Sequence, residues 1–562
     1  MKKGVHKVKE LLHTIYGNEK GGEAFDRIMP LIEAFRQRPK TNSSYFSEKD
    51  VILITYGDTL NRPGEPPLRT LHRFLTSRLK NVVSGIHFLP FFPFSSDDGF
   101  AVMDFFNIDP ELGCWKDVEA IGQDFQLMLD YVVNHFSSKS AWFDNYLAGR
   151  EGFDAFAMEV DPAENLSKVT RPRSLPLLSK YRKKSGETVN LWTTFSADQI
   201  DFNFQSLDVI EKMVQVLLHY VDKGTSILRL DAIAYLWKEI GTPCIHLPQT
   251  HAMVKLLRCI LDLTAPDTII LTETNVPHEE NISYFGNNGD EAQMVYNFTL
   301  PPLLLHAFTT QDASFLSDWA RTLHLEAPDT TFFNFTASHD GIGVRPLEGI
   351  LETKEIDRLI SLVEVHNGQV SYKTDHDGSK SPYELNITYV DAILANEKGM
   401  AAQKFMASQA IQYVLPGVPA TYIHSLLGSR NWVEGVRQTG RARSINREKL
   451  NLLQVETELN DAASFRAKIF QAYGRLMKIR RKQPAFHPKA GFEILDVGSK
   501  VFAVTRYCHE QEIVVLTNIS RQKQKVALGG ISQGPSRTDL ITGKPVVGDT
   551  IELEPYQYQW LV

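Results

Sequence analysis

The sequence has neither a long apolar run nor an apolar leader. No apolar stretch reaches the roughly 18–20 residues that a membrane-spanning helix needs, and the first residues, MKKGVHKVKELLHTIYG, lack the apolar core of a secretory signal. Cysteine is scarce, and no two cysteines have the spacing of a redox or zinc motif. These absences predict a cytoplasmic protein with reduced thiols at Cys114, Cys244, Cys259 and Cys508.

Positive charge is not in excess either. The net charge is -7 and the pI is near 6.2, whereas a general nucleic-acid binder is normally basic. We therefore expect neither nucleic acid nor a membrane as a partner. A chain of 562 residues is too long for one compact core, which predicts a large catalytic domain with appended modules.

Short apolar runs that end in polar residues recur from residue 51 onward, and a helical pattern usually follows each run. Apolar strands that alternate with helices indicate a parallel α/β sheet covered on both faces, and many such units favour a (β/α)8 TIM barrel. Barrel enzymes carry their chemistry at the C-terminal ends of the strands. The runs span 51–58, 85–94, 125–135, 225–235, 268–275 and 330–340, and their ends carry Asp58, Asp97, His135, Asp231, Glu273 and Asp340.

Four further pieces are predicted around the barrel. The N-terminal segment has apolar residues at helical spacing, two long stretches interrupt the alternation of strands and helices, and the last residues have short alternating strands. The predicted domains are an N-terminal helical extension (1–48), the barrel (49–135, 206–341 and 392–488), inserted domain B (136–205), inserted domain B′ (342–391) and a C-terminal antiparallel β-domain (489–562).

Three strand-end carboxylates, Asp231, Glu273 and Asp340, are candidates for the catalytic chemistry. Arg229 and Asp231 are two apart in a strand, so both face the inside of the barrel. A buried arginine needs carboxylate partners, and its charge would keep Asp231 ionised, as a nucleophile requires. Glu273 ends another apolar strand, where burial raises a carboxyl pKa and favours proton donation. A separation of about 5–5.5 Å between two such carboxyls gives retention of configuration, and a wider gap gives inversion.

Each carboxylate alone is more often a helix cap or a surface acid, but four segments occur together and in order. DYVVNH (130–135), LRLDAIAY (228–235), LTETN (271–275) and FTASHDGIGV (335–344) resemble the four signature regions of the α-amylase superfamily, glycoside hydrolase family 13. LITYGDTL, GIHFLPFFPF, NFTLPPLLLHAF and GRARSINRE are similar to the sucrose phosphorylase-like branch. The extension and the longer ionic loops look most like glucosylglycerate phosphorylases.

The resemblance implies roles for individual residues. Asp231 is the implied nucleophile, Glu273 the general acid/base and Asp340 the transition-state stabiliser. The implied donor-subsite residues are Arg229, His135, His339, Asp97, Phe100 and Arg443, with Asp98 as the alternative to Asp97 and core packing as the alternative role for Phe100. Asn275, on the acceptor side, is a further implied substrate-binding residue and stands where the family usually has a histidine.

The loop TRPRSLPLL (170–178) resembles the phosphorylase loop whose arginine meets phosphate. It implies Arg173 as the phosphate or acceptor residue, with Arg171 as the second candidate; a solvated charge run is the alternative. The planar fork of arginine suits anions. KYRKKSG (180–186) is either a further source of attraction for anions or an exposed hairpin.

The resemblance implies a glycosyltransferase that phosphorolyses an α-glucoside with retention, with glucosylglycerate as the first candidate substrate. Its partners would be small molecules, with inorganic phosphate as co-substrate. Sucrose, sucrose 6′-phosphate and glucosylglycerol remain alternative substrates. Hydrolysis or transglucosylation of an α-glucoside is the second hypothesis, and a non-catalytic carbohydrate-binding relative is a remote third hypothesis. No organic cofactor and no metal are expected, since Asn134 alone does not make a calcium shell. A monomer or a homodimer is expected.

Overall fold

A closed barrel of eight parallel strands forms the centre of the molecule, which confirms the predicted α/β barrel. The computed structural model describes residues 2–42, 44–325, 327–374, 378–395, 397, 399–527 and 536–562. Each barrel strand pairs with its neighbour in chain order, and the first pairs with the last. The strands are β1 (Ile52–Thr55), β2 (Gly85–Phe88), β3 (Gln126–Val132), β4 (Thr225–Asp231), β5 (Ile269–Thr272), β6 (Met294–Tyr296), β7 (Thr331–Phe335) and β8 (Val418–Tyr422).

Two of these strands, β6 and β8, are absent from the six apolar runs of the sequence. Strand β6 has only three residues, too few for a recognisable run. Strand β8 contains Pro419, a residue that argues against a central strand because it cannot donate a ladder hydrogen bond. Closure of the barrel overrides both local signals.

Helices surround the barrel and cover the outer faces of its strands. In the barrel segments these helices are Pro67–Phe74, Trp115–Gly122, Leu207–Asp222, Pro248–Thr264, His278–Ile282, Leu300–Thr310, Ser314–Ala320, Ala401–Gln412, Ile423–Leu426, Val433–Thr439, Leu452–Asn460 and Phe465–Arg480. No helix in the described ranges is both long enough and apolar enough to cross a bilayer.

The two long insertions follow strands β3 and β7. The first contains the helix Ala141–Leu147 and the hairpin of Leu178–Arg182 with Thr188–Trp192, so the KYRKKSG run forms a hairpin. The second contains the helix Thr353–Val365 and a sheet of Ile342–Gly343, Lys380–Asn386 and Gln369–Thr374, followed by the helix Tyr389–Leu394. Residues 375–377 of its polar segment lie outside the described residues. Both insertions therefore leave the barrel at its C-terminal mouth.

The N-terminal segment forms the helices Lys2–Tyr16 and Asn18–Ala34, which pack on the helices Pro248–Thr264 and Leu207–Asp222 of the barrel. Tyr16 donates a hydrogen bond to the Phe204 carbonyl at 2.9 Å. The apolar side chains at helical spacing, namely Val8, Leu11, Leu12 and Ile15, are all buried. The extension thus covers the outside of the barrel, and Tyr16, at the end of its first helix, reaches the end of the first insertion.

The C-terminal residues form an antiparallel β-domain. Its six-stranded sheet has the order Gly491–Ile494, Val501–Tyr507, Glu512–Asn518, Tyr558–Leu561, Ser536–Asp539 and Lys544–Val547, and Gln524–Ala527 pairs with Thr550–Leu553 beside it. The buried Arg506 donates hydrogen bonds to the carbonyls of Val414 and His487, both at 2.7 Å. These bonds join the β-domain to the barrel segment.

Candidate active site

A cavity opens at the C-terminal ends of the barrel strands, where the two insertions meet. The predicted nucleophile Asp231 and the predicted acid/base Glu273 both line it. Most other predicted site residues line the same cavity: Asp97, Phe100, His135, Arg173, Asn275, His339, Asp340 and Arg443. The structure thus brings residues from all four signature segments together.

Some residues that the sequence predicts near the site do not line the cavity. Arg229 lies beneath it, 2% exposed. Asp58 pairs with Lys449 away from the cavity, and Arg171 donates to the Leu175 carbonyl of its own loop. Of the two arginines in the TRPRSLPLL loop, Arg173 is therefore the one that reaches the cavity.

Arg229 joins the carboxylates beneath the cavity. Its Nη1 donates to Asp231 Oδ1 at 2.8 Å and also to Asp130, which lies opposite it on strand β3. Its Nη2 is 3.9 Å from Glu273 Oε2. Asp130 accepts a second hydrogen bond from His87 Nε2 at 2.9 Å. The predicted buried arginine with carboxylate partners is present, and Asp130 is a partner that the sequence analysis did not single out.

The backbone after Asp231 turns sharply. Ala232 has a φ of 51°, in the left-handed region that costs a non-glycine residue about 1–2 kcal/mol. This conformation lets the Ala232 N–H donate to Glu273 Oε2 at 3.1 Å. The two predicted reacting residues are thus linked by a hydrogen bond as well as by Arg229.

The Asp231 and Glu273 carboxyls share one protonation equilibrium. Burial raises the pKa of Asp231 to about 7, because the opposing charge of Arg229 is partly offset by Asp130. Burial also raises the pKa of Glu273 to about 7. The sequence analysis expects the charge of Arg229 to keep Asp231 ionised. Because Arg229 is shared with Asp130, it does not hold the pKa of Asp231 at its ordinary value. Since Arg229 bonds Asp231 more closely than Glu273, near pH 7 the charge is better stabilised on Asp231 and the proton on Glu273.

Asp340 lies among arginines. Its Oδ1 is 2.6 Å from Arg443 Nη1 and 3.7 Å from Arg447 Nη2. Burial raises the pKa of Asp340, but Arg443, Arg447 and Arg229 together bring it below its ordinary value. Burial and the same three arginines hold the pKa of His339 well below its ordinary value, so this ring is neutral. Asp340 is therefore a negative charge beside a neutral imidazole, whose Nε2 is 3.4 Å from Asp340 Oδ1.

Phe100 and His135 form the other wall of the inner cavity. The Phe100 ring stacks on His339, with centroids 4.7 Å apart and planes 10° apart. His135 Nε2 donates to the Phe100 carbonyl at 3.0 Å, and burial lowers the pKa of this histidine. Phe100 thus packs on His339 and also lines the cavity, and its role as a platform for the sugar ring stays a prediction.

Asp97 and Asp98 have different surroundings. Both have left-handed backbone, with φ of 53° and 49°, and this bend points them in different directions. Asp97 lines the cavity beside Gln199, whose Nε2 is 3.4 Å away. Asp98 instead pairs with Arg447 outside the cavity. The choice of Asp97 over Asp98 agrees with this geometry. The ion pair between this loop and the GRARSINRE segment, however, is formed by Asp98 and Arg447.

The outer cavity is built by the insertions. Arg173 from the first insertion lies over the rings of Phe195 and Tyr383, with its guanidinium carbon 5.9 and 5.6 Å from their centroids. Its Nη1 is 3.6 Å from Glu384 Oε2 in the second insertion. Sequence reasoning missed the cavity residues Phe195, Gln199, Tyr235, Tyr383 and Glu384. Tyr383 and Glu384 lie on the strand Lys380–Asn386 of the second insertion and Gln199 on the short strand Gln199–Asp201 of the first, and no local pattern in the sequence marks these residues as part of the site.

Asn275 lies where strand β5 meets the second insertion. Its side-chain amide is so close to Gly343 that a Cβ added there would be 2.6 Å from it. Its Oδ1 is buried and has no hydrogen-bond partner among the described residues. Asn275 is therefore fixed by packing, with hydrogen-bonding capacity left for a ligand.

The residues around Asn134 do not fit a calcium ion. The buried Lys238 ammonium donates to Asn134 Oδ1 at 2.8 Å and is 2.7 Å from Asp201 Oδ2. A divalent cation between these oxygens would meet a positive charge that is already there. The described residues also contain no group of three or more His, Cys, Asp or Glu side chains arranged to hold a metal.

Acid residues at the ends of the adjacent strands β4 and β5, in one cavity of a (β/α)8 barrel, are typical of retaining glycoside-processing enzymes. Comparison with known proteins agrees with this class. The α-amylase catalytic domain family matches residues 79–358. A glucosylglycerate phosphorylase of Spirochaeta thermophila is 47% identical over 93% of this chain and 90% of its own. One from Escherichia coli is 43% identical over 99% of both chains.

A solved structure agrees as well. The crystal structure of a sucrose 6F-phosphate phosphorylase from Thermoanaerobacter thermosaccharolyticum has a TM-score of 0.73 and 26% identity, and the match covers 84% of this chain and 94% of that one. The chain therefore belongs to the α-amylase family, glycoside hydrolase family 13, in the sucrose phosphorylase-like branch that includes the glucosylglycerate phosphorylases. This confirms the resemblance found in the sequence.

Proposed function

We propose that the protein phosphorolyses 2-O-α-D-glucosyl-D-glycerate to α-D-glucose 1-phosphate and D-glycerate with net retention of configuration. Three relatives that carry the name glucosylglycerate phosphorylase support the choice of substrate, at 43%, 44% and 47% identity. The observation that carries the chemistry is the pair of Asp231 and Glu273, which line one cavity and approach one guanidinium.

In the first step, Glu273 donates its proton to the bridging oxygen while an Asp231 oxygen attacks the anomeric carbon. The bond from that carbon to the glycerate oxygen breaks, D-glycerate leaves, and a β-glucosyl-enzyme forms. Asp340 stabilises the oxocarbenium-like transition state through its negative charge. Its ion pair with Arg443 keeps it ionised.

In the second step, a phosphate oxygen attacks the anomeric carbon and Glu273 takes a proton from the phosphate. The bond to Asp231 breaks and α-D-glucose 1-phosphate forms, so the two inversions give net retention. The proposed phosphate-binding residue is Arg173; its position on the cavity lining and its planar fork, which suits an oxyanion, support this role. We include no metal and no organic cofactor in this mechanism, with inorganic phosphate as the co-substrate.

The proposed partners are therefore the glucoside and phosphate, both small molecules. We further propose that the protein acts in the cytoplasm as a monomer or a homodimer. Size-exclusion chromatography with light scattering would measure the oligomeric state directly.

The test of the activity runs the reaction in reverse. The purified protein is incubated with α-D-glucose 1-phosphate and one acceptor at a time from D-glycerate, glycerol, fructose and fructose 6-phosphate, and phosphate release is measured. Release with D-glycerate at least about tenfold faster than with the others, a 1.4 kcal/mol preference, supports the proposal. Faster release with another acceptor would replace glycerate as the substrate.

A forward assay separates phosphorolysis from hydrolysis. Glucosylglycerate is supplied with and without phosphate, and both free glucose and glucose 1-phosphate are measured. We expect glucose 1-phosphate only when phosphate is present. Equal amounts of free glucose in both arms would identify a hydrolase or transglucosidase and overturn the phosphorylase assignment.

A further inference from the structure

Glu384 is a buried carboxylate between the inner cavity and its mouth. It lies on the strand Lys380–Asn386 of the second insertion and is 1% exposed. It accepts hydrogen bonds from Nε and Nη2 of Arg443 at 3.0 and 2.7 Å, and another from the Gly341 N–H. The proposed mechanism gives it no role.

One oxygen of Glu384 contacts two arginines. Oε2 accepts from Arg443 Nη2 and is 3.6 Å from Arg173 Nη1. Within the part of the chain that the structure describes, Glu384 is the carboxylate that pairs with Arg173. Arg443 in turn pairs with Asp340. A chain of charges therefore runs from the predicted transition-state stabiliser to the arginine at the mouth.

Arg173 has few other restraints. The rings of Phe195 and Tyr383 limit its tilt, but a ring face does not fix how far a cation reaches along it. The 3.6 Å ion pair leaves the guanidinium donors available for an incoming oxyanion. Among these contacts, the pair with Glu384 is the one that can define how far Arg173 reaches into the cavity.

We propose that Glu384 is a positioning residue that holds Arg173 over the cavity, so that phosphate and not water accepts the glucosyl group. This inference rests on the proposed function, because it needs a glucosyl-enzyme for which the two acceptors compete. The ionised state of Glu384 is consistent with it: burial raises the pKa of the carboxyl, but Arg443 and Arg173 bring it below its ordinary value.

The sign of the effect separates positioning from simple electrostatics. Glu384→Gln keeps a side-chain oxygen for Arg443 and the Gly341 N–H but removes the charge that attracts Arg173. Removal of a negative charge near the cavity would by itself favour phosphate binding and would lower the share of hydrolysis. Loss of position instead raises that share.

The experiment measures the ratio of free glucose to glucose 1-phosphate formed from glucosylglycerate at a fixed phosphate concentration. We expect Glu384→Gln to raise this ratio at least about tenfold, the scale of one lost charge-assisted contact. The matched control is Glu280→Gln, since Glu280 pairs with Arg345 at 3.3 Å and does not line the cavity. The control is expected to keep the wild-type ratio.

A double-mutant cycle tests whether Glu384 acts through Arg173. If it does, the variant that combines Glu384→Gln with Arg173→Gln has the same ratio as Arg173→Gln alone. Additive effects of the two substitutions would overturn the inference, as would a wild-type or lower ratio in folded Glu384→Gln.

Thermal unfolding checks that each variant folds. If Glu384→Gln does not fold, Glu384→Asp replaces it, because it keeps a charge for Arg443 and withdraws the oxygen from Arg173. A raised ratio then supports positioning, and an unchanged ratio overturns it. A wild-type protein that forms no glucose 1-phosphate overturns the proposed function and this inference together, whereas a wild-type ratio in the variants overturns this inference alone.

Discussion

The inner end of the cavity and its mouth are held by different kinds of contact. At the inner end, Asp231 and Glu273 lie at the ends of adjacent barrel strands, and hydrogen bonds from Arg229 and Ala232 fix them. At the mouth, Arg173 and Tyr383 come from the insertions, and Arg173 is held by ring faces and a 3.6 Å ion pair.

This difference has a physical reason. A charged group inside the barrel must have all its partners in place, because an unpaired buried charge costs several kcal/mol. A cation at the partly open mouth is solvated on one side, so looser contacts suffice. The contacts at the inner end are therefore suited to holding one sugar in a fixed geometry, whereas the looser contacts at the mouth are suited to accepting different leaving groups.

The largest expected effect is at the inner end. Asp231→Asn removes the proposed nucleophile, and we expect kcat for phosphorolysis to fall by at least about 10⁴-fold. Initial rates of glucose 1-phosphate formation measure this. The control is Asp58→Asn, which alters an acid that pairs with Lys449 away from the cavity. Retention of more than about 1% of wild-type activity by Asp231→Asn would contradict the proposed role.

The junction between barrel and first insertion is the next place to test. Lys238→Met leaves Asp201 buried without its cation, and we expect the free energy of unfolding to fall by about 3–5 kcal/mol. Urea denaturation measures the change. Lys449→Met, at an exposed ion pair, is expected to cost less than about 1 kcal/mol. Equal losses in the two variants would show that burial does not distinguish these pairs.

At the mouth, Asn275→Ala is expected to lower kcat/KM for glucosylglycerate about tenfold, or 1.4 kcal/mol. The substitution removes an amide whose Oδ1 is buried and without a partner, so a bound leaving group would lose one hydrogen bond. Asn287→Ala, on an exposed loop, is the control. An unchanged kcat/KM in Asn275→Ala would place the leaving group elsewhere.

The pH dependence tests the shared proton of the inner end. Burial raises the pKa of both Asp231 and Glu273 to about 7. Below that pH both carboxyls gain protons and the nucleophile is lost, and above it Glu273 loses the proton it must donate. We expect a bell-shaped profile of kcat/KM with its maximum near neutral pH.

A substrate with fluoride as leaving group needs no proton from Glu273. The alkaline limb of the kcat/KM profile should therefore flatten for this substrate. A kcat/KM for glucosylglycerate that stays constant between about pH 5 and 9 would contradict the shared equilibrium.

The smallest expected effect is that of metal removal. Lys238 supplies the positive charge between Asn134 and Asp201, so incubation with EDTA should leave the rate and the thermal midpoint unchanged. Activity that is lost with EDTA and restored by calcium would show that a metal supports the mouth after all.

The sequence predicts the inner end far better than the mouth. Arg229 and Asp231 have the strand spacing that puts two side chains on one face, and buried charge then demands partners such as Asp130. Glu384 and Gln199 carry no such signal. They reach the cavity only because long insertions fold back over the barrel, and that depends on tertiary packing.

The same distinction applies to the fold. Apolar runs locate six of the eight barrel strands, but strand β6 is too short and strand β8 contains Pro419. Whether Asp97 or Asp98 faces the cavity depends on a left-handed bend that residue type alone does not determine. The assigned roles of the individual site residues remain predictions for the experiments above.

The closed order of the barrel strands has a consequence for how new specificities arise. Strands β3 and β7 are four apart in a ring of eight, so the insertions that follow them stand on opposite sides of the C-terminal mouth. Each insertion supplies part of the entrance, and Arg173 of the first contacts Tyr383 and Glu384 of the second. Exchanging the insertions therefore changes the entrance and leaves Asp231 and Glu273 on the barrel strands in place. A modular entrance of this kind allows the leaving group to change while glucose chemistry is preserved.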